Sequence, residues 1–266
     1  MTWQPIDCHA HTTFSDGALE PAALARVVRS RGVRPSVADH LSGDVRYAVK
    51  SVEGVRVYLD ALESIDVARG GEFCWHDALW RVLPDDLAAR FTHRVGSLHA
   101  VPIEGSPYVH MFQREWPEGL TPDAYMELHV AAFERLAAEM PVDIYAHPTL
   151  LPIPLRPLPP EELWTEEREE RAVAALARSG VAFELSSRYR PHERIVRRAA
   201  AAGVRFSLGS DGHTAQQVGV VDFGLQLARS LGVRDEELYD PYVHGSRGRG
   251  MRDEPPDDAV ARPAPS

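Results

Sequence analysis

The sequence predicts an α/β domain built on parallel strands, an open sheet or a closed barrel, with its chemistry at the carboxyl ends of those strands. Three observations lead there. Seven short apolar runs alternate with longer amphipathic ones, the pattern of a parallel sheet rather than a sandwich. Metal-ligand residue types stand at six of the seven run ends, where α/β barrels keep their active sites. The 266 residues, 44% hydrophobic and 26% charged, suffice to bury one full core.

The first run leads into Asp7-Cys8-His9-Ala10-His11 and then the turn-forming Ser15-Asp16-Gly17. Side chains two apart on a strand share a face, so both imidazoles can reach one ion, and Asp16 can swing a carboxylate back to a neighbouring one. Residues 20–31 follow as a helix, with Leu24, Val27 and Val28 on one stripe and Gly32 closing it. Strand two covers 33–38 and ends at Asp39-His40. A helix over 55–65 precedes strand three over 66–73, which ends near Glu72. Residues 77–90 read as a helix interrupted by Pro84, and strand four, 93–98, ends at His99.

The connection 100–120 carries His110, Gln113, Arg114 and Trp116 and reads as a long loop of the kind that forms lids and binding loops. Thr121 and Pro122 open a helix to about residue 139. Strand five, 142–146, ends at His147-Pro148, and the proline-rich stretch 148–160 is expected to be irregular. It delivers the chain to an acidic helix start at Glu161, and that helix runs through Arg178 to Gly180. Strand six, 181–185, contains Glu184 and precedes Ser186-Ser187-Arg188-Tyr189-Arg190. A helix over 191–202, stopped by Gly203, leads to strand seven, 204–208, and to Gly209-Ser210-Asp211-Gly212-His213. A last helix covers about 221–231. The expected division is one catalytic domain, 1–244, and a disordered tail, 245–266, poor in apolar residues.

Composition narrows the partners. A net charge of -10 and a pI near 5.6 argue against a nucleic-acid backbone. Lys50 is the sole lysine, and the arginines are scattered among acids. No run approaches a membrane span, and no basic segment followed by an apolar one opens the chain, so the cytoplasm is the expected location. Cys8 and Cys74 make no disulfide framework. Each sits beside a candidate ligand and is read as a buried, reduced thiol turned to the opposite face.

The ordered series His9-x-His11, Ser15-Asp16-Gly17, Asp39-His40, Glu72, Ser97-x-His99, His147-Pro148 and Ser210-Asp211-x-His213 resembles the PHP (polymerase and histidinol phosphatase) superfamily over roughly residues 6–232. The spacing from Glu72 to His99, the 100–120 connection and the segment Glu184 to Arg188 resemble its histidinol-phosphatase branch. The resemblance implies a distorted, TIM-like (β/α)7 barrel with a trinuclear metal centre at the carboxyl ends of its strands. It also implies a ligand set. His9, His11, Glu72 and Asp211 hold the first divalent ion; a bridging Glu72 with His99 and His147 the second; Asp16, His40 and His213 the third.

The expected activity is hydrolysis of a small phosphomonoester by a metal-bridging hydroxide, with L-histidinol phosphate, and hence histidine biosynthesis, as the leading substrate. Glu72, Asp211 and His213 are expected to serve the reaction directly. Mixed nitrogen and oxygen ligation suits zinc, iron and manganese alike. Arg188 or Arg190 can grip the phosphate bidentately, with Arg156 and Arg114 as weaker candidates. His76, His93, His129, His192 and His244 are read as solvated or structural, while His110 fits either a surface or a lid role. Asp39 alternates to the other face, where it could still support a ligand, and the glutamates of 161–170 read as a solvated helix start. A PHP nucleotide phosphatase or nuclease would share every ligand, and a non-catalytic metal-binding module remains open. An amidohydrolase barrel of the kind that needs a strand-end lysine does not fit Lys50. The oligomeric state cannot be read from the sequence.

Overall fold

The alternation of short and long apolar runs persists in three dimensions, although the strands are shorter than the runs that carry them. The computed structural model describes residues 3–103 and 106–245. In chain order it contains β1 (Ile6–Asp7), α1 (Pro21–Ser30), β2 (Arg34–Val37), β3 (His40–Leu41), α2 (Val52–Glu63), β4 (Ala68–Arg69), β5 (Glu72–Cys74), α3 (Asp85–Ala88), β6 (Val95–Ser97), β7 (Ala100–Ile103) and β8 (Ser106–His110). There follow α4 (Pro122–Glu139), β9 (Ile144–Tyr145), α5 (Pro160–Leu163), α6 (Glu166–Ser179), β10 (Ala182–Ser186), α7 (Glu193–Ala201), β11 (Phe206–Gly209), α8 (Asp222–Ser230) and α9 (Pro241–His244).

Two parallel sheets, ordered β1-β2-β4 and β11-β10-β9-β6-β5-β3, carry the domain. Only two residues separate β2 from β3, and only Gly70 and Gly71 separate β4 from β5, so each of these runs serves both sheets. A Cβ at Gly71 would lie 2.4 Å from Leu41 Cδ1, so a larger residue at that crossing would have to displace the buried Leu41 side chain. At the far side, the Cys8 N–H donates to the Leu208 carbonyl at 2.8 Å and the Asp211 N–H to the His9 carbonyl at 2.8 Å, tying β1 to β11. The result is an α/β, barrel-like arrangement. Small strand residues, among them Cys8, Ala38, Ala68, Val95, Ile144 and Ala182, form an inner cluster. Strands covered on both faces read as continuous apolar runs for this reason.

The helices are set by their caps and stripes. Thr121 accepts a hydrogen bond from Ala124 N–H, Pro122 fits the first turn, and Tyr125, Met126, Val130, Phe133 and Leu136 turn inward along α4. Phe133 stacks on Tyr145 of β9 at 4.1 Å between ring centroids, and burying such a side chain contributes about 1.5–3 kcal/mol. Thr165 caps α6 in the same way, and Gly180, at φ 69°, ends it. Among the described residues no helix is long and apolar enough to cross a membrane.

Several expectations are corrected here. The 100–120 connection is not all loop, because β7 and β8 pair as an antiparallel hairpin. The expected strand three is two short strands, and the 77–90 helix is a 3-10 turn over Leu79–Arg81 followed by α3. The proline-rich stretch holds a 3-10 turn at Ile153–Leu155, and the helix expected from Glu161 is split into α5 and α6 by an N-cap at Thr165. Glu169 is not solvated. It is buried, and Arg194 and Arg198 of α7 pair with it at 2.9 and 3.4 Å. Cys74 does not face away from the ligands, because two residues from Glu72 is the same strand face; its Sγ lies 3.1 Å from His99 Nδ1. Of the expected tail, all but Gly245 lies outside the described residues.

Candidate metal centre

The structure brings all nine expected ligands together, in the loops that follow β1, β6, β9 and β11 and at the first residues of β3 and β5. His9 and His11 follow β1, with their Nε2 atoms 3.1 Å apart. His40 opens β3 and Glu72 opens β5 in register with it. His99 follows β6, His147 follows β9, and Asp211 and His213 follow β11. Asp16 stands in a loop that folds back because buried Asp39 accepts from Thr12 N–H at 2.7 Å and from the hydroxyls of Thr12 and Ser15 at 2.6 Å each. A Cβ at Gly17 would sit 2.2 Å from the His11 carbonyl oxygen, so this turn admits only glycine.

The donor atoms fall into overlapping groups. His11 Nε2 is 3.3 Å from Asp211 Oδ1, and His9 Nε2 is 3.4 Å from Glu72 Oε2. The Nε2 atoms of His99 and His147 are each 3.3 Å from Glu72 Oε1. Asp16 Oδ1 is 3.2 Å from His213 Nε2 and 3.6 Å from His40 Nε2. Ligands bound to one zinc ion at about 2.0–2.2 Å have edges of roughly this length. Glu72 Oε2 and His40 Nδ1 lie 2.6 Å apart, yet neither makes a hydrogen bond. Buried polar atoms in that state carry a desolvation cost, which a cation beside them, within reach of both lone pairs, would remove. The residues therefore fit divalent metal ions.

Charge in the cluster points the same way. Burial pushes the Glu72 carboxyl up, but His40, His99 and His9 outweigh it and hold it well below the usual carboxylate range. Asp211 is also depressed, its burial overcome by the hydrogen bond from His11 and the charges of His9 and His11. Asp16 is depressed too, its burial overcome by His213 and His40. Burial among other imidazoles pushes His11 down to about 3. Burial opposes protonation of His9 as well, but Glu184 and Glu72 prevail and raise it. Ionised carboxylates beside imidazole lone pairs in a buried site make a strong cation receptor.

Around the ligands stands a layer of buried acids that a motif search does not rank. Glu184 Oε1 lies 2.7 Å from His9 Nδ1, and its other oxygen accepts from His147 N–H at 2.7 Å. Asp7 accepts from Ser210 N–H, Ser210 Oγ and Gly219 N–H at 2.8, 2.6 and 2.8 Å, anchoring the loop that carries Asp211. Asp39 plays the matching part for the Asp16 loop. These contacts fix two strained backbones, His147 at φ 33° and Asp211 at φ 48°, a region L-residues seldom occupy. The sequence signal for Asp7 and Asp39 is that each lies within two residues of a ligand; for Glu184 it is an acid inside the one strand without a ligand at its end.

A cavity of about 230 Å³ opens over the cluster, walled by Phe112, Tyr189 and Arg188. Arg188 NH1 lies 2.6 Å from His213 Nδ1, and the same nitrogen of His213 is 2.9 Å from the Asp211 carbonyl. Nδ1 cannot both accept from Arg188 and donate to Asp211. Were Nε2 to hold an ion, Nδ1 would carry the proton and donate to the Asp211 carbonyl, and Arg188 NH1, which also donates to that carbonyl at 3.3 Å, would lose its contact with Nδ1. Arg190 does not reach this cavity. It covers the Phe223 ring at 4.6 Å and lines a neighbouring apolar cavity of about 200 Å³ together with Arg156, His192 and Leu155. Arg114 is exposed and lines neither. His93 is buried with Nε2 2.8 Å from the Cys8 carbonyl, and His129 is buried in α4. His244 ends α9 and accepts from Asp240 N–H at 3.0 Å. His76 and His110 face Asp44 outside the cluster.

No protein-family model matches the sequence, and no curated protein matches it. The fold does match solved structures. One is the crystal structure of the "putative histidinol phosphatase hisK" from Listeria monocytogenes, with a TM-score of 0.60 at 15% identity, covering 81% of this chain and 97% of that one. At that identity the likeness is one of fold. It agrees with the PHP-like fold that the ordered ligand series implies.

Proposed function

We propose that the chain is a metal-dependent phosphoesterase that hydrolyses a small phosphomonoester, with L-histidinol phosphate as the leading substrate. The observation that carries this reading is the division of the Glu72 carboxylate, one oxygen toward His99 and His147 and the other toward His9 and His40. That is how a bridging ligand is placed. On this reading the strands form a closed (β/α)7 barrel, and three ions of zinc, iron or manganese type are held at its mouth. His9, His11, Glu72 and Asp211 hold one; Glu72, His99 and His147 a second; Asp16, His40 and His213 a third. Bound there, the ions supply a water activated at neutral pH and positive charge for the phosphoryl oxygens.

The remaining work belongs to the chain. Arg188, at the cavity mouth, grips the phosphate through its guanidinium fork. Tyr189 and Phe112, with ring centroids 6.1 Å apart, wall off water and pack against the alcohol. Glu184 keeps the Nε2 of His9 turned inward, and Asp211 and His213 hold their positions through the Ser210 loop. The substrate class draws support from the ligand series and from the fold shared with the Listeria protein.

The test is phosphate release by metal-loaded protein from L-histidinol phosphate, a nucleoside monophosphate, a 3′,5′-bisphosphonucleoside and a short oligonucleotide. Preference for histidinol phosphate is expected. Preference for a nucleotide would leave the metal chemistry and overturn the substrate; turnover of none of the four, with metal bound, would contradict phosphomonoesterase activity on these classes.

A further inference from the structure

One group of metal-ligand side chains lies outside the nine. Asp44 stands in the loop after β3, His76 two residues after β5, and His110 is the last residue of β8. Because β3 and β5 are parallel neighbours, their following loops lie side by side, and the β7–β8 hairpin, which grows from the end of β6, folds back over them. His76 Nε2 is 2.9 Å from Asp44 Oδ2, and His110 Nδ1 is 3.8 Å from the same oxygen. One donor atom of each residue lies within 4.8 Å of the others. Donors sharing a tetrahedral zinc ion at about 2.0–2.1 Å sit roughly 3.3 Å apart, between the two separations found.

Several features distinguish this group from a chance surface contact. The His76 side chain is almost fully buried at 2% exposure, whereas Asp44 and His110 are open to solvent at 49% and 41%. An ion could therefore enter from one side and meet a fixed ligand on the other. The Asp44 loop is pinned to the His76 loop through Asp77, which accepts from the Ser42 hydroxyl and, at 3.1 Å, from the Gly43 N–H. Support of this kind holds ligands in place before an ion arrives. The Tyr108 ring packs edge-on against His76 at 5.3 Å. His76 Nδ1 is buried with no hydrogen-bond partner among the described residues, which leaves Nε2 as the ring's polar face.

We propose that Asp44, His76 and His110 form a separate zinc-type site on the rim of the strand mouth, with two imidazoles, one carboxylate and water completing the shell. Two nitrogens and one oxygen select zinc or a similar transition ion over calcium or magnesium. Its occupancy would clamp the hairpin to the loops after β3 and β5, two residues before Phe112 enters the wall of the central cavity.

The test is equilibrium dialysis of the full chain against buffered micromolar zinc, with bound zinc per chain measured by mass spectrometry. Wild type is compared with Asp44→Ala and with His110→Gln, whose side chains are 49% and 41% exposed, with circular dichroism checking that each variant folds. The expected result is one ion fewer in each variant. That difference does not depend on how many ions the central cluster holds, so it is separable from the proposed function. Equal zinc content in wild type and both variants would overturn the site and leave the Asp44–His76 contact as a hydrogen bond.

Discussion

Glu184 Oε1 lies 2.7 Å from Nδ1 of His9, while the other oxygen of the same carboxylate receives the His147 N–H. One buried acid thus sets the tautomer of a candidate ligand after β1 and the strained backbone of a candidate ligand after β9. Replacing it by glutamine keeps the shape and removes one acceptor. The new amide N–H2 must then face either the His9 N–H or the His147 N–H, donor against donor. Glu184→Gln should bind metal about 10–100-fold more weakly, measured by competition with a chromogenic chelator, with little change in circular dichroism.

Gly209 offers an independent route to the same defect. A Cβ there would lie 2.1 Å from Glu184 Oε1, and Glu184 cannot retreat without releasing His9 or His147. Gly209→Ala should therefore reproduce the chelator-competition phenotype of Glu184→Gln, and combining the two should cost less than the sum of the separate losses. Full additivity would separate Gly209 from Glu184.

Among the described residues Arg188 is the one arginine at the mouth of the central cavity. A charge-assisted contact to phosphate is worth about 1.5–3 kcal/mol, so Arg188→Ala should raise KM roughly 10–100-fold. Arg190→Ala, which loses only its place over Phe223, should leave KM near the wild-type value. Steady-state kinetics on one phosphomonoester decides between them.

His129 supplies a pH dependence remote from the cluster. Burial in α4 beside Trp164 pushes it down to about 3, against about 6.5 unfolded. The unfolded chain therefore binds the extra proton between these values. Stability is whole above pH ~6.5 and falls with acid by up to about 1.4 kcal/mol per pH unit. His129→Leu should flatten the decline of Tm between pH 6.5 and 5 relative to wild type, whatever its effect at neutral pH. A parallel decline in both proteins would contradict this.

The candidate ligand series is legible because it follows a local rule. His9, His99, His147 and Asp211 each follow a strand, His40 and Glu72 follow β2 and β4 across two-residue crossings, and parallel strands bring their ends together whatever lies between. What escaped depends on contacts distant in sequence. The hairpin at 100–110 looked like loop because its glycine and prolines mask the alternation. Glu169 looked solvated until Arg194 and Arg198 from the next helix covered it. Asp44, His76 and His110 are each unremarkable alone, and only the pairing of β3 with β5 and the return of β8 join them. Cys74 is legible from its spacing alone, since two residues from Glu72 is the same strand face.

The most direct measurement is phosphate release followed while metal is withdrawn and returned, with metal content measured at each step. The account predicts that hydrolysis disappears as chelation empties the cluster, returns on adding zinc, iron or manganese, and fails to return in Glu72→Gln. Undiminished hydrolysis by fully metal-free protein, or by Glu72→Gln at wild-type rate, would contradict it.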